Sequence, residues 1–130
     1  MYSELGKIDD SSIYRLEAGI YLVQLSGHLT LKGSNDINDL IRRDQPTGKR
    51  AVLYETTKAF KGYDPELRTL QNNPALVGTS HIGIITANPL LRMVTASIAL
   101  TLRTTTGVPM ASYSSVDSAL EGARKALARG

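Results

Sequence analysis

With no cysteine among its 130 residues, the chain leaves any chemistry to hydroxyls, carboxylates, amines and two imidazoles. Thiolate nucleophiles, thiolate metal sites and disulfides are excluded together. The imidazoles, His28 and His81, lie far apart in sequence and in different elements, with no ligand spacing between them. A metal site would need both plus a carboxylate, so structural roles are the expectation: His81 at the start of a strand, His28 in a loop before a helix. Serines and threonines are plentiful, but none stands in the Gly-x-Ser-x-Gly turn that exposes a nucleophile. Neither a Walker-type phosphate loop nor Gly-x-Gly-x-x-Gly is present, and no cofactor is implied.

One stretch remains, Glu55-Thr56-Thr57-Lys58, followed by Lys61. Glu55 ends an apolar run, the place where α/β folds hold ligands. A single carboxylate with no identified partner does not make an acid–base pair, so the expectation is a protein that is not an enzyme. Thr56 and Thr57 are candidate phosphate acceptors. A phosphate there would add about −1.5 to −2 charges, which Lys58 and Lys61 could pair. The plainer reading is that turn threonines bond to the backbone.

The elements that must position these residues follow from periodicity and punctuation. Residues 1–12 are polar and read as a loose lead-in to one domain spanning 13–130. Ile13 to Leu16 and Ile20 to Leu25 read as an antiparallel hairpin turning at Glu17-Ala18-Gly19, with Gly27 ending it. Ser34 or Asn35 can cap a first helix in which Ile37, Leu40 and Ile41 share a face and Arg42-Arg43 complement the last turn. Ala51 to Tyr54 is apolar throughout, as a strand covered on both faces should be. Glu55 to Gly62 reads as a polar loop, and Asp64-Pro65-Glu66 as the start of a second helix. His81 to Thr86 is a fourth strand, Asn88-Pro89 opens a long third helix to about Arg103, and Met110 to Tyr113 is a fifth strand. Ser114 and Asp117 resemble a capping box before a last helix with Val116, Ala119, Leu120, Ala123 and Leu127 on one side. The order β-β-α-β-α-β-α-β-α predicts a mixed α/β sheet of about five strands, mainly parallel after the hairpin, packed by about four helices.

Composition narrows the partners. The sequence is 42% hydrophobic and 21% charged, which fits a folded domain rather than a disordered chain. A net charge of +3 spread over short scattered groups, with no Trp and one Phe, makes neither a basic stripe nor a stacking platform. Nucleic acid is therefore not an expected partner. No basic and apolar leader opens the chain and no apolar run is long enough to span a bilayer, so a cytoplasmic protein is expected.

On the third helix, Leu91, Val94, Ile98 and Leu102 form one stripe, and Leu90, Met93 and Leu100 fall partly outside it. The apolar surface is thus wider than one contact face needs. A neighbouring helix, a homodimer or partner interface, or a groove for a lipid-like ligand would each account for it.

Three segments carry a resemblance to a known family. Val23-Gln24-Leu25-Ser26-Gly27-His28-Leu29-Thr30 looks like its second strand. Ile82-Gly83-Ile84-Ile85-Thr86-Ala87-Asn88-Pro89-Leu90-Leu91-Arg92 resembles its strand and entry to a long helix. Val108-Pro109-Met110 with Ser115-Val116-Asp117-Ser118-Ala119-Leu120 resembles its closing strand and helix. In that order they resemble the STAS family, and within it the SpoIIAA-like branch with the architecture of anti-sigma-factor antagonists. The resemblance covers roughly Ile13 to Leu127. It implies a regulatory or protein-interaction module that docks a partner or a second copy. The family's contact surfaces would fall on Glu55, Thr56, Thr57 and Lys58, and on Leu90, Met93 and Leu100. Phosphorylatable members carry an Asp-Ser-Ser/Thr-Gly-like stretch where this chain reads Tyr54-Glu55-Thr56-Thr57-Lys58-Ala59. The branch's likeness to lipid-transfer domains implies the alternative, a carrier or sensor of a small apolar ligand, in a dry pocket lined by Leu, Ile and Val.

Overall fold

Residues 2–64, 79–86, 88 and 108–128 are described in a computed structural model of the protein. Their strands are β1 (Ser3–Ile8), β2 (Ser11–Glu17), β3 (Ile20–Leu29), β4 (Ala51–Tyr63), β5 (His81–Ile85) and β6 (Met110–Tyr113). They form one sheet in sequential order, β1 to β6. The pairs β1–β2 and β2–β3 are antiparallel, and β3–β4, β4–β5 and β5–β6 are parallel. Two helices are described, α1 (Leu31–Asp44) and α2 (Val116–Ala128).

Alternation along the central strands divides the core into two layers. Tyr21, Val23 and Leu25 of β3 and Val52 of β4 face one side, where they pack with Ile37 and Ile41 of α1. Ile20 and Leu22 of β3 and Ala51 and Leu53 of β4 face the other, with Ala119 and Ala123 of α2. A side chain so buried contributes roughly 1.5–3 kcal/mol over an exposed one. Covering on both faces explains why Ile20 to Val23 of β3 and Ala51 to Tyr54 of β4 are continuously apolar rather than alternating. The last helix meets its expectation: Val116, Leu120 and Leu127 pack against the cluster that Ala119 and Ala123 enter.

Several expectations need correction. The sheet has six strands rather than about five, because Ser3–Ile8 is a strand and not a loose lead-in. Its Leu5 and Ile8 pack on the α1-side core, but a register shift between Glu4 and Gly6 breaks the period-two pattern that would have marked it. Asp9 and Asp10 join β1 to β2 with left-handed φ angles of 50° and 68°, the two-residue turn that matches strand twist. Gly27 does not end β3, which runs on to Leu29, and Gly27 adopts φ +65° inside it. Thr30, not Ser34 or Asn35, caps α1: its Oγ1 accepts from the Gly33 amide. Ser115 rather than Ser114 caps α2, exchanging backbone-to-side-chain bonds with Ser118.

The largest correction concerns Glu55 to Gly62, expected as a loop. These residues continue β4, so Glu55, Thr56, Thr57 and Lys58 lie within a strand and not at the start of a helix. The β-branched threonines and Phe60 suit a strand, and β3 supplies the backbone partners out to Leu29. Against about four helices expected, two are found among the described residues. The segments expected to form the other two lie outside the described residues, as do Leu90, Met93 and Leu100. Among the described residues, no helix is long and apolar enough to cross a membrane.

Candidate functional site

The stretch from Glu55 to Lys58 lies midway along β4, beside the middle of β3. Regular pairing holds to Leu25↔Thr56 and resumes at Gly27↔Phe60, so three residues of β4 oppose Ser26 alone. This bulge re-aims side chains that a regular strand would alternate. Thr57 anchors it. Its Oγ1 donates to the Leu25 carbonyl at 2.8 Å, lies 2.7 Å from Ser26 Oγ, and accepts from the Ala59 amide at 3.3 Å. Since the Thr57 proton goes to Leu25, Ser26 supplies the proton between the two hydroxyls. Ser26 is held in turn by Ser11 on β2, whose Oγ accepts from the Ser26 amide at 3.2 Å. Glu55 Oε1 accepts from Gln24 Nε2 at 3.1 Å. Lys58, Ala59 and Lys61 are exposed.

Next to the bulge, the first turn of α1 is enclosed by carboxylates that sequence reasoning missed. Asp9 Oδ2 accepts from the Thr30 amide at 3.1 Å and from Thr30 Oγ1 at 2.6 Å. Asp64 Oδ2 accepts from the Leu31 amide at 2.9 Å, and its Oδ1 lies 2.7 Å from His28 Nε2. The bond with His28, then that from the Leu31 amide, holds the Asp64 carboxyl below the usual carboxylate range. Negative charge is favourable at a helix amino end, and these carboxylates occupy donors there that an external anion would otherwise use. The sequence signals were the Asp9-Asp10 pair, a two-residue turn, and Asp64, which reads as the start of a second helix. His28 stands beside that acid, not in a metal cluster: no group of metal-binding side chains assembles among the described residues.

At the opposite end of the sheet, a cleft of about 480 Å³ opens at the amino ends of β5 and β6. Its polar lining comes from Lys49, Ser80, His81, Tyr113 and Lys125, its apolar lining from Pro109, Met110, Ala111 and Ala126. His81 is buried, with Nε2 3.1 Å from Tyr113 Oη and the two rings edge-on. Open α/β sheets more often hold ligands at the carboxyl ends of their strands, so this cleft lies outside that pattern. Its lining also differs from the dry Leu, Ile and Val pocket expected for an apolar ligand.

No family model matches the chain, and neither does any curated protein sequence. A solved structure does. A Shewanella loihica PV-4 protein of the DUF3478 family, described as having a SpoIIAA-like fold, superposes with a TM-score of 0.59 over 95% of each chain at 14% identity. The chain has a SpoIIAA-like fold. At that identity the likeness is one of fold and carries no activity with it. Within the SpoIIAA-like sheet, Glu55 and Thr56 end the regular pairing of β4 with β3, and Thr57 and Lys58 lie on the bulge that follows. His81 lies apart from them in the cleft at the other end.

Proposed function

We propose that the chain is a non-catalytic interaction module of the STAS type, docking a protein partner or a second copy of itself through the bulge midway along β4. The observation that carries this reading is the bulge itself. A ladder of hydroxyls from Ser11 through Ser26 to Thr57 holds an irregular strand rigid and presents Lys58 and Lys61 to solvent. A rigid, irregular and charged rim suits recognition, whereas the same hydrogen bonds disfavour catalysis. Thr57 spends its proton on a carbonyl, and Glu55 is engaged by a neutral amide rather than a proton-transfer partner. Leu90, Met93 and Leu100 would extend the surface on the reading carried from the family.

A phosphate on Thr57 would abolish the bond to Leu25 and break the Ser26 contact, so modification there would loosen the bulge; Thr56 is the neighbouring acceptor. The test places a photo-crosslinking residue at Thr56, Lys58 or, as a control on exposed α1, Arg43, in the cells that make the protein. A discrete adduct shared by the two β4 positions and absent from Arg43 is expected, either a protein partner or the chain's own dimer. Equal, diffuse products at all three positions, with a monomer at every concentration in native mass spectrometry, would defeat the reading.

A second reading, a carrier or sensor of a small ligand, is favoured by the cleft at the amino ends of β5 and β6.

A further inference from the structure

The wall of that cleft is built around one aromatic ring. Tyr113 rises from β6 between two glycines. A Cβ at Gly83 would come within 3.0 Å of Tyr113 Cε2, and one at Gly122 would run into its hydroxyl. Only residues without a side chain let strand and helix close on the ring, which positions Tyr113 Oη against His81 Nε2. The pair therefore forms a fixed polar wall, with Ser80 beside it at the start of β5.

The remaining lining sorts into a charged mouth and an apolar floor. Lys49 and Lys125, both exposed, come from the segment before β4 and the last turns of α2. Among the described residues, no carboxylate lines the cleft. Lys125 pairs with Glu121 at 3.4 Å, an exposed pair one helical turn apart. Such pairs are weak and do not hold a lysine against a competing anion. Met110, Ala111 and Ala126 supply apolar surface to the same cleft. A volume of about 480 Å³ falls in the range of small-molecule sites, where an apolar lining and a few convergent polar groups are the common pattern.

We infer that this cleft binds a small amphipathic organic anion, a carboxylate on a short apolar body. The carboxylate sits between Lys49 and Lys125, and the body lies on Met110, Ala111 and Ala126 against the Tyr113–His81 wall. The inference deepens the ligand-carrier reading and is independent of the β4 surface. It changes the ligand's class from the purely apolar molecule that a dry pocket would take.

Amide NMR titration of the full chain tests it with three probes: hexanoate, hexanol and acetate. Hexanoate should give saturable shifts at Ser80, Met110 and Gly122, with acetate and hexanol much weaker. Contact with each lysine in a water-like dielectric corresponds to roughly a fivefold gain in affinity. Lys49→Gln and Lys125→Gln should therefore each weaken hexanoate by about fivefold, and the pair together by about 25-fold. Added salt should weaken it as well. Ala126→Leu should fill the floor and abolish binding with the charges intact. Absence of saturable shifts at about 10 mM hexanoate would overturn the inference, as would shifts that map elsewhere. Hexanol binding in the cleft as tightly as hexanoate would overturn the anion while leaving the carrier reading in place.

Discussion

Gly33 should be indispensable for a reason opposite to the usual one. Glycine inside a helix is ordinarily a weakness, and replacing it by alanine stabilises by up to about 1 kcal/mol. Here a Cβ at Gly33 would run into the Asp9 carboxylate, which spans from the β1–β2 turn to the first turn of α1. To make room, Asp9 must give up its bonds to the Thr30 amide and hydroxyl. Bonds to a charged acceptor contribute about 1.5–3 kcal/mol each. At the lower end, suited to a half-buried site, two losses cost about 3 kcal/mol. Subtracting the propensity gain leaves Gly33→Ala destabilising by about 2 kcal/mol. For a chain of this size, that lowers Tm by about 7 °C. The assay is a double-mutant cycle with Asp9→Gly, which removes the carboxylate and tolerates the left-handed φ of 50° at that turn. In the Asp9→Gly background, Gly33→Ala should reverse sign and stabilise by up to about 1 kcal/mol. If Gly33→Ala is neutral in the native chain, or equally damaging in both backgrounds, the Asp9 contact does not hold the turn to the helix.

Three further outcomes follow from buried or paired polar groups. Tyr21 is fully buried and donates to Asp44 at 2.6 Å, a carboxylate also held by Arg15, so Tyr21→Phe should cost about 1.5–3 kcal/mol in urea unfolding. Burial, and then the bond to Asp44, pushes the Tyr21 phenol well above its ordinary range, and burial does the same for Tyr54. A raised folded pKa gives stability that is complete below the unfolded value and lost as pH rises. Stability should therefore fall above about pH 10, and less steeply in Tyr21→Phe. Asp64 has the opposite sign: its lowered folded pKa gives stability present above the ordinary carboxylate range and lost as pH falls through it. Asp64→Asn should flatten the acid limb of the pH–stability curve below about pH 4, read by thermal unfolding across pH. Thr57→Val should lower stability by about 1–3 kcal/mol in chemical denaturation by stranding Ser26 in the bulge, while Thr57→Ser stays near the native value. Equal losses for the two variants would mean that the hydroxyl ladder is not what holds the bulge.

The central strands and the last helix were legible in the sequence because burial on a regular element leaves a periodic mark. Ile20 to Leu25, but for Gln24, and Ala51 to Tyr54 are apolar since each face of the sheet has its own helix, and Ala119 and Ala123 lie one turn apart on α2. The SpoIIAA-like fold was readable for the same reason. Periodicity fails where pairing is irregular. Ser3–Ile8 and Thr56 to Tyr63 are strands because β2 and β3 offer them backbone partners, yet register shifts interrupt both ladders, so the residue pattern resembles a loop. Long-range partners also moved the start of α1. Thr30 is its cap with the help of Asp9, 21 residues away. Glu55 to Lys58 were picked out as a group, but only pairing with β3 shows that Thr57 and Lys58 begin a bulge. Lys49, His81, Tyr113 and Lys125 come from four separate stretches of chain, so nothing short of the folded sheet could bring them to one cleft.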